Sequence, residues 1–320
     1  MSWMYDIVAI GESLMDCAPV DTQRQGMPRF EANPGGAPAN VLAMNARLGG
    51  KTAFIGMVGE DAFGHVIEKT LQQAGIDTRG LCFSARYNTT LAFVQLDAKG
   101  DRSFSFYRPG CADVMMEEGQ VRQELLQDCR VFHFGSVSLT EDPCRTATLH
   151  AAQTAAEAGA VISYDPNFRP LLWPDRDEAV HWMRRGARMA DIIKVSDEEM
   201  TLLTGETDLA RGCAALHAMG PAVVFVTMGE KGACFDVPAG SGYEPALSVK
   251  AVDTTGAGDA FLGAMLHCLK GKNRAEMAGV SLNEWHCAVR FANAAGGLTT
   301  MAKGAIPAMP DEGRILAAMK

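Results

Sequence analysis

The segment from Asp253 to Phe261, Asp-Thr-Thr-Gly-Ala-Gly-Asp-Ala-Phe, combines a glycine-rich turn with a carboxylate. The apolar residues that close it and follow it repeat at helical spacing: Phe261, Leu262, Met265, Leu266 and Leu269. Glycine-rich backbone at a helix N-terminus points free N–H groups and the positive end of the helix dipole at one spot, which suits a phosphoryl group. Asp259, in the first turn, would lie beside that group. A helix start capped by Asp253 or Asp259 explains the same residues equally well.

Two other glycine motifs do not fit the nucleotide sites that they resemble. Gly49-Gly-Lys-Thr52 resembles the end of a P-loop, but that pattern requires a glycine where Asn45 stands and a helix where a strand is predicted. Gly11-Glu-Ser13 lacks the second and third glycines of a dinucleotide fingerprint. The sequence therefore supports neither a P-loop nucleotidase nor a nicotinamide enzyme.

The composition is typical of a globular protein, with 48% hydrophobic and 21% charged residues. A net charge of -9 argues against nucleic-acid and anionic-membrane partners, because both bind basic surfaces. Nine cysteines without a Cys-x-x-Cys pair, and a first segment that favours a strand over a signal peptide, predict a cytoplasmic protein. The negative charge also means that a nucleotide would be held by local groups such as backbone N–H.

Short apolar runs alternate with helical patterns along most of the chain. The runs predicted as strands are 7–10, 52–58, 131–134, 160–164, 192–195 and 223–227. The stretches predicted as helices are 38–48, 64–74, 142–158 and 197–204. This alternation predicts an α/β fold with a mostly parallel central sheet, whose active site lies beyond the carboxyl ends of the strands.

Two segments interrupt the alternation. Residues 17–34 lack a helical period, and residues 89–108 are typical of a β-hairpin. We expect both to form a small β lid, in lid segments of about 13–35 and 88–112 inserted into a single domain of residues 1–320. A lid suits a reaction from which water must be excluded.

Several motifs resemble the ribokinase-like (PfkB) carbohydrate kinases. Asp253–Phe261 resembles the C-terminal signature of that family, and Gly35-Gly-Ala-Pro-Ala-Asn40 with 55–64 resembles the N-terminal signature. The likeness includes 194–199 and 227–233 and runs nearly end to end. It implies a ribokinase-like three-layer domain with an inserted β lid, and ATP as the phosphoryl donor.

Within that family, three motifs are similar to bacterial and plant fructokinases: Gly11–Asp16, Phe106-Tyr-Arg108 and Ser163–Arg169. This implies transfer of the γ-phosphoryl group of ATP to a primary hydroxyl of fructose, giving fructose 6-phosphate. A kinase for 2-keto-3-deoxygluconate, ribose or a riboside is the alternative within the family. A catalytically silent sugar or nucleotide sensor is the alternative from another class, against which the presence of Asp259 argues.

The resemblance also implies roles for the signature residues. Asp259 would accept the proton of the attacking hydroxyl, and the N–H groups of Gly256, Ala257 and Gly258 would stabilise the transferred phosphoryl group. A carboxylate at a helix N-terminus is expected to have a lowered pKa, so proton transfer to Asp259 is expected late in the reaction.

The sugar-binding residues implied are Asp16, Gly35, Gly36, Asn40, Phe104, Arg108 and Arg169. Asp16 and Asn40 would bind hydroxyl groups, and Gly36 would allow the backbone to approach the ring. Simpler interpretations remain open, with Asp16 as a cap, Arg108 as a solvated lid residue and 165–167 as a turn.

The nucleotide-binding residues implied are Lys194, Ser196, Glu199, Thr227, Gly229, Gly232 and Asn293. Ser196 stands where many relatives have asparagine. Mg²⁺ would arrive with ATP and be organised by Glu199 through water. A K⁺ site that varies within the family would involve Asp253, Thr255, Thr299, Ala302 and Gly304. The family also pairs through its lid, which suggests a homodimer here.

Overall fold

The computed structural model describes residues 3–20, 29–96, 102–270 and 272–320, without the side chains of 94–96 and 102–104. The strands in this part of the chain are β1 (Tyr5–Ile10), β2 (Leu14–Pro19), β3 (Phe30–Gly35), β4 (Thr52–Gly59), β5 (Ile76–Ser84), β6 (Leu91–Leu96), β7 (Arg102–Tyr107), β8 (Cys129–Gly135), β9 (Val161–Asp165), β10 (Ile192–Ser196), β11 (Val223–Thr227), β12 (Ala233–Val237) and β13 (Gly240–Glu244). The helices in the same ranges are α1 (Ala37–Arg47), α2 (Ala62–Gln73), α3 (Gln123–Gln127), α4 (Cys144–Glu157), α5 (Arg176–Ala187), α6 (Asp197–Thr204), α7 (Leu209–His217), α8 (Ala257–Cys268), α9 (Arg274–Met277), α10 (Leu282–Thr299) and α11 (Glu312–Ala318).

The larger sheet has nine strands within the described ranges, in the order β13-β12-β11-β10-β9-β8-β1-β4-β5. Its pairs from β5 across to β11 are parallel, and β12 and β13 join antiparallel at one edge. Each of the six predicted strands corresponds to one of β1, β4, β8, β9, β10 and β11. The predicted α/β class with a mostly parallel sheet is confirmed.

Side chains alternate across this sheet and pack against helices on both faces. In β1, Ile7 and Ala9 belong to the core shared with α1, α2, α8 and α10, whereas Val8 and Ile10 belong to the core shared with helices α3 to α7. Nearly continuous burial is expected for strands that are covered on both faces. The molecule therefore has the three layers that were predicted.

Helix boundaries differ from the predictions where caps determine them. Helix α2 begins at Ala62 rather than at Gly64, because Asp61 caps it and accepts a 2.9 Å hydrogen bond from the Gly64 N–H. No helix in the described part of the chain is long and apolar enough to cross a membrane.

The lid is a second sheet of four strands in the order β3-β2-β6-β7. The predicted hairpin is β6 and β7, and β2 pairs parallel with β6. These strands lie within the predicted segments 13–35 and 88–112, although residues 21–28 lie outside the described part. The sequence placed segment 13–35 in the lid but did not indicate β2 and β3 as separate strands, because Pro19, Pro34 and Gly35 interrupt the β pattern.

Candidate active site

A cavity of about 1590 Å³ opens between the lid and the carboxyl ends of the parallel strands. Its wall includes residues at or within two positions of the ends of four of those strands: Glu12, Val137, Asn167 and Ser196. The sequence-predicted residues that line it are Asp16, Gly36, Asn40, Arg169, Lys194, Ser196, Glu199, Asp253, Thr255, Gly256, Gly258, Asp259 and Gly304. The fold thus brings the two signatures, which lie far apart in the sequence, into one cavity.

Glycines determine how Asp259 enters this cavity. Gly256 precedes helix α8 with φ 78°, and a methyl group there would lie 2.5 Å from the Ala305 Cβ. Farther along α8, a methyl group on Gly263 would lie 2.5 Å from the Val41 carbonyl oxygen of α1. The absence of a side chain at 263 therefore allows α8 and α1 to pack closely and brings the first turns of both helices to the same place.

Asp259 is 8% exposed, and its Oδ2 accepts a 2.8 Å hydrogen bond from Asn40 Nδ2. Burial raises the pKa of Asp259 to about 6, and the nearby charge of Asp165 adds to that rise. The bond from Asn40 and the charges of Lys194 and Arg169 lower it, but by less. The expectation of a lowered pKa was therefore wrong, because burial outweighs the helix dipole. With this pKa, Asp259 is a stronger base that is still ionised at neutral pH.

Lys194 provides the positive charge beside the first turn of α8. A methyl group on Gly258 would lie 2.8 Å from Lys194 Nζ, and the same ammonium donates a 2.8 Å bond to Asp165 Oδ2. Burial alone lowers the pKa of Lys194, but the Asp165 and Glu199 carboxylates more than compensate and raise it. Gly258 leaves space without a side chain at the N-terminus of α8, and Lys194 places a buried cation beside that space. Together these features fit an anionic phosphoryl group.

Of the three residues predicted to offer free N–H groups, the structure supports only two. The Ala257 N–H donates to the Thr254 carbonyl at 3.3 Å, and Ala257 does not line the cavity. Gly256 and Gly258 do line it, and Gly258 is in the first turn, where the helix itself offers no acceptor.

The sugar-side wall depends on two adjacent glycines. A methyl group on Gly35 would lie 2.3 Å from Asp16 Oδ2, and one on Gly36, where φ is 126°, would lie 2.4 Å from the Glu12 carbonyl oxygen. Burial raises the pKa of Asp16 to about 6, although the charge of Arg169 opposes it. Asp16 and Asp259 thus place two carboxylates in one cavity. This arrangement suits a ligand with hydroxyl groups better than a ligand with a carboxylate.

Glu12 is a cavity residue that was not predicted. Its Oε1 accepts a 3.1 Å bond from the Ala37 N–H at the start of α1, and burial raises its pKa to about 7. The sequence signal for Glu12 was its place after the first strand, within the motif Gly11–Asp16. That motif was interpreted as a family resemblance, and Glu12 was given no role of its own. Glu12 fixes the start of the helix that carries Asn40.

Arg108 does not line the cavity, so nothing in the structure supports its predicted role in sugar binding. It is 4% exposed and donates to Asp113 Oδ2 at 2.7 Å, to Thr140 Oγ1 at 2.6 Å and to the Val137 carbonyl at 2.9 Å. A buried guanidinium needs hydrogen-bond acceptors, and here Asp113, Thr140 and Val137 supply them without a ligand. Arg108 is therefore neither solvated nor free for a ligand, and it joins the lid to the segment after β8. The Phe104 side chain, also predicted to bind sugar, lies outside the described residues.

The Asp165-Pro-Asn167 turn also contributes to the wall of the cavity. Asn167 has φ 47°, which is unusual for a residue other than glycine, and its N–H donates to Asp165 Oδ1 at 3.1 Å. Asn167 and Arg169 line the cavity, and the Arg169 guanidinium bonds to the Phe168 carbonyl at 3.2 Å. Strain of this kind often accompanies a binding site. Neither Asp165 nor Asn167 was predicted as a functional residue.

Glu199 is bound by backbone groups on both oxygens. Oε1 accepts from the Phe168 N–H at 2.7 Å and Oε2 from the Ser196 N–H at 2.8 Å, while Ser196 Oγ accepts from the Glu199 N–H. Burial raises the pKa of Glu199, and the charge of Asp165 adds to this. A carboxylate oxygen has a further lone pair, so contact with a metal through water fits this arrangement.

The remaining nucleotide-side residues, Thr227, Gly229, Gly232 and Asn293, do not line the cavity. Asn293 Nδ2 donates to the carbonyls of Glu244 and Pro245 at 2.9 and 3.0 Å. A methyl group on Gly232 would lie 2.2 Å from the same Glu244 oxygen. Asn293 therefore fixes segment 244–245, and Gly232 leaves room for it. The roles predicted for all four residues in binding nucleotide stay predictions.

Of the residues predicted to bind K⁺, three are joined by hydrogen bonds. Asp253 Oδ1 accepts from the Thr255 N–H at 3.0 Å and from its hydroxyl at 2.7 Å, and Oδ2 accepts from the Gly304 N–H at 3.0 Å. Thr299 is fully buried with its hydroxyl on the Ala295 carbonyl, and Ala302 is exposed. Among the described residues no cluster of three or more His, Cys, Asp or Glu side chains could hold a metal. A K⁺ site here would depend on carbonyl oxygens.

Known proteins resemble this chain over its whole length. The protein named "Probable fructokinase-5" of Arabidopsis thaliana is 43% identical over 95% of this chain and 94% of its own. The structure of the Xylella fastidiosa fructokinase with bound ATP has a TM-score of 0.91 at 32% identity, covering 99% of this chain and 98% of its own. A double mutant of the Vibrio cholerae O395 fructokinase, with fructose, ADP and potassium bound, has a TM-score of 0.88 at 33% identity over 100% of both chains. Residues 4–312 match the model of the pfkB family carbohydrate kinases, and the chain belongs to that family.

Proposed function

We propose that this protein is an ATP-dependent fructokinase that forms fructose 6-phosphate. The observation that carries the proposal is the position of Asp259, a buried base held by Asn40 and next to the Lys194 charge in one cavity. The fructokinase names of its relatives support fructose as the sugar. Asp16, Asn40 and Asn167 supply hydroxyl-binding groups on the same wall.

The reaction follows from the charges around Asp259. The primary hydroxyl of fructose loses its proton to the Asp259 carboxylate, and its oxygen forms a bond to the γ-phosphorus while the bond to the β-phosphate oxygen breaks and ADP leaves. Lys194, Arg169 and the first turn of α8 stabilise the charge on the transferred group. Magnesium bound to the nucleotide would neutralise phosphate charge, with Glu199 as the residue that would organise it through water.

A substrate panel with detection of ADP tests this proposal. We expect fructose to give the highest kcat/KM, and the phosphorus spectrum of the product to show a 6-phosphate. A strong response to 2-keto-3-deoxygluconate, ribose or a riboside with none to fructose would overturn fructose as the substrate. ATP and sugar binding without ADP release would indicate a sensor instead.

Two further properties accompany the proposal. Exchange of K⁺ for Na⁺ in the assay should lower activity if segment 253–304 binds potassium. All nine cysteines are free thiols, which supports a reducing cytoplasm.

The lid is proposed to pair two copies of the chain. Phe30, Phe93 and Tyr107 form an edge-to-face series on the lid, and Phe30 and Tyr107 are exposed. Sedimentation velocity should give a dimer for the natural protein and a monomer for Tyr107→Ser with Phe30→Ser. Tyr243→Ser, which changes an exposed tyrosine on β13, should leave the dimer intact.

A further inference from the structure

Asp165 lies at the carboxyl end of β9, between the two halves of the cavity. It is 2% exposed and does not line the cavity itself. Its Oδ2 accepts from Lys194 Nζ at 2.8 Å, and its Oδ1 accepts from the Asn167 N–H at 3.1 Å. One buried carboxylate therefore contacts both the cation at the phosphoryl site and the strained turn on the sugar side.

We propose that Asp165 is a positioning residue for phosphoryl transfer, which holds Lys194 against the first turn of α8 and fixes Asn167 toward the sugar. This rests on the proposed kinase function, but not on fructose as the substrate. Asp165 touches neither substrate, so its effect passes through Lys194 and Asn167.

The position of Lys194 depends on this contact. Its flexible side chain rises from the middle of β10 and is 7% exposed, with its ammonium next to Gly258. Burying an ammonium without a partner is costly, so the ion pair with Asp165 fixes the position of the Lys194 ammonium. The parallel pairing of β9 with β10 places Tyr164 opposite Ile193, so the next residue of each strand, Asp165 and Lys194, also come side by side.

The charge of Asp165 also acts on the base. After burial, it is the largest cause of the raised pKa of Asp259. Asn40, Lys194 and Arg169 also face Asp259, and all three lower its pKa. The Asp16 carboxylate lies in the same cavity, and the charge of Asp259 raises the pKa of Asp16. Neutralising Asp165 should therefore lower the pKa of Asp259, which a purely structural role would not do.

The test compares Asp165→Asn with the natural protein on the best sugar of the panel. The amide keeps the shape and an acceptor for the Asn167 N–H, but it loses the charge that holds Lys194. We expect kcat to fall by about 100-fold, KM for ATP to rise more than KM for the sugar, and the acid limb of the pH profile to move to lower pH. Asp191→Asn is the matched control, because Asp191 caps the other end of β9 by accepting from the Ile162 N–H and pairs with Arg274. It should leave all of these quantities unchanged.

A double variant separates positioning from other effects. If Asp165 acts through Lys194, Lys194→Met with Asp165→Asn should be no worse in kcat or ATP affinity than Lys194→Met alone. Removing both charges also avoids leaving one buried without a partner. Losses that add in the double variant, or an unshifted pH limb in Asp165→Asn, would overturn the proposal. ATP affinity measured by calorimetry gives this comparison without turnover, so it stands even if the protein does not phosphorylate fructose.

Discussion

Asn40 Nδ2 and Asp259 Oδ2 are 2.8 Å apart, although the two residues are separated by 219 positions in the chain. Asn40 is in the first turn of α1, which forms the sugar-side wall, and Asp259 is in the first turn of α8, beside the phosphoryl site. The hydrogen bond therefore joins the two half-sites at the base itself.

Asp259→Asn should lower kcat by about 100-fold or more while ATP and sugar still bind, because the amide cannot accept the proton. The folded-state pKa of Asp259 is raised, so its contribution to stability is present at low pH and is lost as the pH rises through about 6. The melting temperature of the variant at pH 8 should therefore not fall below that of the natural protein. Asp208→Asn, at the exposed cap of α7, is the control for the same chemical change. Turnover close to normal in Asp259→Asn would exclude it as the base.

Activity should fall as the pH drops through about 6, because Asp259 is then protonated and cannot act as the base. Asn40→Ala removes the hydrogen bond that stabilises the carboxylate, so the acid limb of kcat/KM should move to higher pH. Asn45→Ala is the matched control, since Asn45 is on the same helix and donates to the Gly263 carbonyl instead. A limb that moves equally in both variants would show that the shift does not come from the bond to Asp259.

Gly36→Ala should weaken sugar binding and destabilise the fold by about 1–3 kcal/mol from backbone strain alone, with a clash against the Glu12 carbonyl in addition. Gly49 also has a positive φ, of 84°, but in Gly49→Ala the new methyl group would have open space around it. Urea denaturation and KM for the sugar should therefore separate the two, with KM raised only for Gly36→Ala. Equal effects on KM would mean that close approach at position 36 is not needed.

Arg108→Leu should destabilise the protein by about 3–5 kcal/mol, because it leaves the Asp113 carboxylate buried without its partner. The folded fraction should keep a normal KM for the sugar, since Arg108 does not line the cavity. Asp113→Leu combined with Arg108→Leu should recover part of the stability by removing both charges. A large increase in KM with unchanged urea stability would instead restore Arg108 as a sugar-binding residue.

Within the described part of the chain, local patterns in the sequence predicted six of the nine strands of the larger sheet and five of the eleven helices. They also pointed to Asp259 as the proposed base. Largely apolar runs of four to seven residues predicted β1, β4 and β8 to β11, because strands covered on both faces are nearly continuously apolar. The Gly256-Ala-Gly258 turn before an apolar helix predicted an anion site, because that chemistry depends on neighbouring residues.

Only the tertiary structure decided the properties that depend on residues far apart in the chain. The pKa of Asp259 is set by its burial and by Asp165, and sequence reasoning, which used only the helix dipole, predicted the opposite direction. Arg108 stands in a motif that favours ligand contact, yet its partners Asp113, Thr140 and Val137 are in the protein. Burial and long-range partners control electrostatics, and a linear pattern of residue types does not contain them.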